Sequence, residues 1–236
     1  MLHEATTLEF KNQTLAPATE GVRLAGPLDE RLATSIVRLG FDTDPFARWM
    51  YPDAASYMKG FSEFVRAVAA RSINARSAHL SRNNSGAALW FSPGVSLDEE
   101  EIGEIVQTTV SPELRRSVVE IFEQKALFRP AGPHWYLPII AVDPVRQGRG
   151  TGASLLRFAA RSCDDEDLPA YLESSNPRNI SLYQRFDFEI IGTIRSGGSP
   201  PLFPMLRKRR SDRSGTSRDI NDQLIHETAD MFGKEN

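Results

Sequence analysis

His134-Trp135-Tyr136-Leu137-Pro138-Ile139-Ile140-Ala141-Val142-Asp143-Pro144-Val145-Arg146-Gln147-Gly148-Arg149-Gly150-Thr151-Gly152 runs from an apolar, strand-like stretch into a glycine-rich turn. After it, Leu155, Leu156, Ala159, Ala160 and Cys163 share one face of a helical repeat, the face expected to pack on a sheet. The order strand, glycine turn, helix gives the glycines their meaning. Without Cβ atoms the backbone can approach an anion closely, and the first turn of a helix adds unpaired N–H donors and the positive end of the dipole. That combination suits a pyrophosphate. A tight strand-to-helix turn with no ligand is the structural alternative.

The letters of the turn narrow the choice. A nucleoside triphosphatase phosphate loop ends in Gly-Lys-Ser/Thr, whereas this turn continues Gly152-Ala153-Ser154 without a lysine. A dinucleotide fingerprint spaces its glycines G-x-G-x-x-G, whereas Gly148, Gly150 and Gly152 alternate.

What remains is the pattern Gln/Arg-x-x-Gly-x-Gly/Ala, with Gln147, Gly150 and Gly152 in its fixed positions. The chain resembles the GCN5-related N-acetyltransferase (GNAT) superfamily, in which this turn cradles the pyrophosphate of coenzyme A. A second block, Leu172-Glu173-Ser174-Ser175-Asn176-Pro177-Arg178-Asn179 with Leu182-Tyr183-Gln184-Arg185-Phe186, is similar to the other half of the acetyl-CoA site. Within the superfamily, His134 to Leu137 and Glu173 to Arg185 look most like the puromycin N-acetyltransferase group. The likeness covers residues 134 to 207, and 27 to 70 only faintly.

The resemblance implies an α/β fold: a mixed, mostly antiparallel sheet, splayed between its two central strands and flanked by helices. It implies that backbone groups of Ile140, Ala141 and Val142 pair with pantetheine like an added strand. Gln147, Gly148, Arg149, Gly150, Thr151 and Gly152 would hold the pyrophosphate, Asn179 would help to bind coenzyme A, and Tyr183 would serve as general acid at its sulfur. Acetyl-CoA is the implied co-substrate, with no metal.

The residues support parts of this independently. Asn176 and Pro177 have the pattern of a cap and first-turn proline, and Asn179 and Tyr183, four apart, share a helix face. Strand alternation puts Tyr171, Glu173 and Ser175 opposite Leu172, so Glu173 is the candidate general base, with a hydrogen-bonded structural carboxylate as the alternative. His134 reads as an exposed strand start and Asp143 as a turn residue.

Composition sets the class. The chain has 236 residues, 40% hydrophobic and 25% charged, ordinary for a globular protein with a substantial core. A net charge of −3 gives no general pull toward nucleic acid or anionic membrane. One cysteine, Cys163, excludes an internal disulfide framework, and the four histidines are too scattered for a metal motif. Met1 to Phe10 lacks a signal-peptide pattern, and Trp135 to Val142 is too short to span a bilayer. A soluble, cytoplasmic protein is expected.

The organisation is read as an N-terminal arm or edge strand (1–24), one acetyltransferase domain (25–210) and a polar tail (211–236). Leu32, Ile36 and Leu39 mark a helix stopped by Gly40, and Asp53 caps another carrying Tyr57, Phe61, Phe64, Val65 and Val68. Phe46, Trp49 and Tyr51 lie between them, read as core or, by resemblance, as part of an acceptor pocket. Ala78 to Arg82 and Ala87 to Phe91 suggest a hairpin. Ser96 and Glu99 suggest a capping box for a helix over 97–107, and Ser111-Pro112 starts one over 112–125, an insertion placed to wall the acceptor site. Pro204 puts the last strand, 202–206, at an edge or bulge. Arg207 to Arg210 reads as a solvated strand end. The reading is acetyl transfer in a ternary complex to a primary amine, most simply of a small molecule. Protein N-terminal or lysine acetylation, and a non-catalytic coenzyme A-binding sensor or interaction protein, are the alternatives. Homodimers are common in the superfamily, so the resemblance admits one.

Overall fold

The computed structural model describes residues 21–213; most of the arm and tail read from sequence lie outside the described residues. The sheet has seven strands in the order β1-β2-β3-β4-β5-β7-β6. These are β1 Val22–Leu24, β2 Ala78–Ser81, β3 Gly86–Phe91, β4 Trp135–Val142, β5 Ala170–Ser174, β6 Phe188–Ile190 and β7 Phe203–Arg207. β4 and β5 pair in parallel, and the other neighbours are antiparallel.

Helices cover both faces. Helices α1 Glu30–Gly40, α2 Pro45–Met50, α3 Ala54–Ser56, α4 Ser62–Asn74, α5 Glu99–Thr109 and α6 Pro112–Phe128 precede β4 in the chain. The apolar faces of α1, α4, α5 and α6 enclose one core with Leu80, Leu89, Phe91 and Tyr136. α7 Thr151–Asp165 and α8 Ile180–Gln184 cover the other face over Ala88, Trp90, Leu137 and Leu172. The periodicity of 155–163 is used as read: Leu155, Leu156, Ala159 and Cys163 are fully or almost fully buried.

Two features of β4 shape the middle of the sheet. Between the pairs Leu89↔Ile139 and Phe91↔Tyr136, β3 advances two residues and β4 three, so β4 carries a bulge at Leu137-Pro138. The cores record it: Trp135 and Leu137 pack on the α7 side, Tyr136 on the other, and past the bulge Ile139 and Ala141 share the side of Tyr136. The parallel ladder with β5 reaches only Leu137↔Leu172. The next residue, Pro138, has no N–H to continue it. From there β4 stays with β3, while β5 continues on β7 through Glu173↔Pro204 and Ser174↔Phe203.

Several local expectations are corrected. Pro204 is not on an edge strand, because β7 lies between β5 and β6. Its carbonyl accepts from Ile191 N–H at 2.9 Å just past the end of β6, so its missing N–H falls where that ladder has ended. The cap of α5 is Asp98, which accepts from the N–H groups of Glu100 and Glu101, rather than Ser96. By contrast, α1 does end at Gly40 as read, without a left-handed backbone there; a Cβ there would lie 2.9 Å from Ala141 Cβ and 3.2 Å from Val142 O, so its bareness lets α1 close on β4. Arg207 is 4% exposed and pairs with Asp164 at 2.8 Å, so the basic run starts inside the protein and not in solvent. Arg213 pairs with Asp164 and Asp187, carrying ordered contacts past residue 210. At the other end, Val22 pairs with Ser81 in β1, an edge strand, which is one of the two readings of residues 1–24.

Candidate active site

The divergence of β4 and β5 opens a cavity of about 610 Å³. Its first wall is backbone. Asp143 N–H donates to Ser85 O at 2.8 Å, and the register Gly86↔Val142 sets these two residues opposite each other. Alternation then makes Ala87 and Ala141 the next bonded pair and turns the peptide groups of Ile140 and Val142 away from β3, toward the gap that β5 has left. Val142 O accepts from Gln147 Nε2 at 3.1 Å. Ala141 also lines the cavity, but its peptide groups belong to the β3 ladder.

The glycine turn forms the second wall. Gly148 has φ +74° and Gly150 φ +84°, a left-handed backbone that side-chain-bearing residues adopt at a cost. Gly150 is the N-cap of α7, and its carbonyl accepts from Ser154 N–H at 2.9 Å. The N–H groups of Thr151, Gly152 and Ala153 precede the first helical bond and have no partner within the helix. Gln147, Gly148, Gly150, Thr151 and Gly152 all line the cavity, whereas Arg149 does not. A Cβ on Gly152 would lie 3.3 Å from Leu182 Cδ2, so this glycine also lets α7 start against α8. Arg146, Arg178 and Arg185 add cations to the lining.

The third wall is the segment after β5. Asn176 caps the turn Pro177–Asn179, its side chain accepting from Arg178 N–H at 3.1 Å, and α8 follows directly. Asn179 and Tyr183 both reach the cavity. Tyr183 is 6% exposed, and its hydroxyl makes no hydrogen bond among the described residues. Burial, and then the nearby Asp44 carboxylate, push its phenol well above the ordinary range.

Two carboxylates share the cavity in different surroundings. Glu173 Oε2 accepts from the Tyr136 hydroxyl at 2.8 Å and lies 3.5 Å from Lys125 Nζ, while its buried Oε1 has no hydrogen-bond partner. Burial opposes the charge of Lys125, yet Glu173 and Tyr136 together hold its ammonium above the usual value. The guanidinium of Arg129 stacks over the Tyr136 ring at 4.5 Å. Asp44 is the N-cap of α2: Oδ1 accepts from Phe46 and Ala47 N–H at 3.0 Å, and Oδ2 accepts from Ser175 Oγ at 2.6 Å. Burial raises its pKa against the lowering effect of these donors.

Sequence reasoning missed Asp44 and Lys125. Asp44-Pro45 has the pattern of a helix cap and first-turn proline, which fully explains it locally, and Lys125 reads as one more charge on an amphipathic helix. The insertion does form a wall, with Ile121, Phe122 and Lys125 of α6 facing the cavity. His134 stays outside it, half-buried rather than fully exposed, with Nδ1 2.8 Å from Gly132 O. Cys163 is buried in the core, its thiol pushed up to about 12 by burial. Among the described residues no group of three or more His, Cys, Asp or Glu is placed to hold a metal ion, and no helix is long and apolar enough to cross a membrane.

A mostly antiparallel sheet opened at its one parallel junction, with a glycine-capped helix at the opening, is the decisive arrangement. The chain has the GNAT fold. Residues 118–188 match the model of the acetyltransferase (GNAT) family, an acyltransferase family. An uncharacterized N-acetyltransferase of Schizosaccharomyces pombe is 35% identical over 81 residues, 33% of this chain and 33% of that protein, so the match spans about a third of the curated relative. Among solved GNAT-fold structures, histone acetyltransferase HPA2 and related acetyltransferase from Corynebacterium glutamicum superposes with a TM-score of 0.59 at 23% identity, over 80% of this chain and 96% of that one. The polyamine N-acetyltransferase of Drosophila melanogaster gives 0.59 at 13% identity, over 79% and 98%. Arylalkylamine N-acetyltransferase 2 of Aedes aegypti gives 0.56 at 11% identity, over 79% and 97%. At these identities the structural likeness concerns the GNAT fold itself.

Proposed function

We propose that the protein is an N-acetyltransferase that moves an acetyl group from acetyl-CoA to the primary amine of a small molecule, in a ternary complex. One observation carries this reading. Peptide groups of Ile140 and Val142 that face away from β3, the N-terminus of α7 behind its glycine turn, and a buried tyrosine hydroxyl without a partner among the described residues open into a single cavity that also holds two carboxylates.

The residues fit the donor. Ile140 and Val142 offer backbone groups to an extended amide chain such as pantetheine, and the turn Gln147 to Gly152, with Arg146 and Arg178 beside it, offers N–H groups and cations to a pyrophosphate. Bound acetyl-CoA would supply an activated acyl thioester. Tyr183 stays protonated at neutral pH and can give its proton to a departing thiolate. Glu173 keeps Oε1 available to take a proton from the amine. Support for a small amine comes from the fold neighbours that are polyamine and arylalkylamine N-acetyltransferases, and from the resemblance of two sequence blocks to the puromycin N-acetyltransferase group. In the basic run at the end of β7, Arg207 is buried on Asp164, while Lys208 and Arg209 pair at the exposed surface with Glu189 and Asp212. A buried single cysteine accords with a cytoplasmic protein.

Thermal melting with acetyl-CoA, with ATP and NAD as controls, is the first test, because a ligand at about 100 times its Kd stabilises by roughly 2.7 kcal/mol. A rise with acetyl-CoA alone, followed by amine-dependent thiol release, is the expected result. No rise overturns the donor. Binding without thiol release for any amine, peptide or protein would mark a coenzyme A-binding sensor, and release with peptides or proteins alone would move the acceptor to a polypeptide.

A further inference from the structure

Asp44 is 6% exposed, lines the cavity, and forms no ion pair with any Lys, Arg or His among the described residues. Its three hydrogen bonds come from neutral donors, the backbone N–H groups of Phe46 and Ala47 and the hydroxyl of Ser175, and bring no positive charge. A buried carboxylate left without a cation is costly to keep ionised. Glu173, in contrast, already faces Lys125. Of the two acids in the cavity, Asp44 is therefore the one whose charge is left for a ligand to balance. Ser175 follows Glu173 by two residues and donates to Asp44, so the two carboxylates flank one region where β5 leaves β4.

The surroundings of Asp44 specify the rest of the ligand. Phe41, Phe46, Met50, Phe61, Phe64 and Phe122 line the same cavity. They supply an apolar, largely aromatic wall with no further carboxylate for a second cation. We infer that Asp44 holds the ammonium group of the acceptor and that the acceptor is a monoamine on an apolar or aromatic body, not a polyamine. This rests on the acetyltransferase reading and narrows it to a substrate class and a specificity-determining residue.

The test compares 2-phenylethylamine, tryptamine and hexylamine with agmatine and spermidine, at saturating acetyl-CoA, in the wild type and in Asp44→Asn. Asparagine caps helices about as well as aspartate, so the variant removes charge and spares the fold. The monoamines are expected to exceed the polyamines in kcat/KM by at least tenfold. Asp44→Asn is expected to raise the monoamine KM at least tenfold while its acetyl-CoA melting shift stays at the wild-type value. Equal or better use of the polyamines, an unchanged KM in Asp44→Asn, or no use of any monoamine would each overturn the inference. A missing acetyl-CoA shift in the wild type would instead strike the acetyltransferase reading itself, so the two failures are distinguishable. Ser175→Ala, which removes a neutral donor and leaves the carboxylate, is expected to change the amine KM less than Asp44→Asn; the reverse order would also overturn it.

Discussion

The hydroxyl of Tyr136 donates to Oε2 of Glu173 at 2.8 Å across the β4–β5 junction, and Lys125 of α6 approaches the same oxygen at 3.5 Å. One carboxylate oxygen is thereby fixed and the other left without a partner. Tyr136→Phe is expected to lower kcat by about tenfold or less, through looser positioning of Glu173, and Glu173→Gln by about 10²-fold or more, the range of general-base loss. Steady-state rates at saturating amine and acetyl-CoA check both, and Glu173→Gln with wild-type kcat would remove Glu173 as the proton acceptor.

Tyr183 has a partner-free hydroxyl on a buried ring that stacks edge-on against Phe188, centroids 6.3 Å apart. Tyr183→Phe keeps the ring and its packing. It is expected to lower kcat at least tenfold with less than a threefold change in the Kd of acetyl-CoA, as measured by calorimetry. An equal loss of binding and kcat would make the tyrosine a binding residue alone.

Gly150 combines φ +84° with the N-cap of α7. A β-branched residue there opposes the left-handed backbone that aims the helix N–H groups into the cavity. Gly150→Val is expected to raise the Kd of acetyl-CoA at least tenfold, about 1.4 kcal/mol. An unchanged Kd would dissociate the turn from donor binding.

Gly60 stands in the π-helical turn Tyr57–Phe61 that joins α3 to α4, and a Cβ there would meet the buried Tyr51 ring and lie 2.8 Å from Thr109 Cβ. Overpacking of this kind costs about 1–3 kcal/mol. Gly60→Ala is expected to lower Tm by several degrees despite the better helix propensity of alanine, and a Tm equal to wild type would show that Tyr51 can yield.

His79 is 6% exposed beside Phe158, its Nδ1 without a partner, and burial pushes its pKa down to about 4. The ordinary value is about 6.5. Because the folded state resists protonation, the stability tied to neutral His79 is present above pH 6.5 and is lost as pH falls toward 4, at most about 1.4 kcal/mol per pH unit. Urea melts at pH 7 and pH 4.5 are expected to show this loss in the wild type and a smaller one in His79→Leu; equal losses would contradict it.

The sequence was most legible where structure is local. The apolar run 135–142 is β4, the glycine turn opens α7, Asn176-Pro177 begins the segment carrying Tyr183, and Asp53 caps as read. Misreadings came where a local signal had two uses. Pro204 suggested an edge, but it sits inside the sheet where the β6 ladder has just ended. Ser96 reads as the cap of α5, and backbone geometry places the cap two residues later, at Asp98. Arg207 belonged to a charged run, yet Asp164 and the carbonyl of Phe186 draw it into the interior.

By itself the sequence determined the elements and the glycine turn that opens α7, because backbone conformation, capping and helix-face spacing depend on residues within about a turn of one another. Only the tertiary structure decided the charge economy of the cavity. Asp44 meets Ser175 across 131 positions, and Tyr136 meets Glu173 across 37. Whether a carboxylate is balanced, fixed or left for a ligand depends on burial and on partners that sheet pairing and helix docking bring from elsewhere in the chain, and no spacing within a motif encodes those.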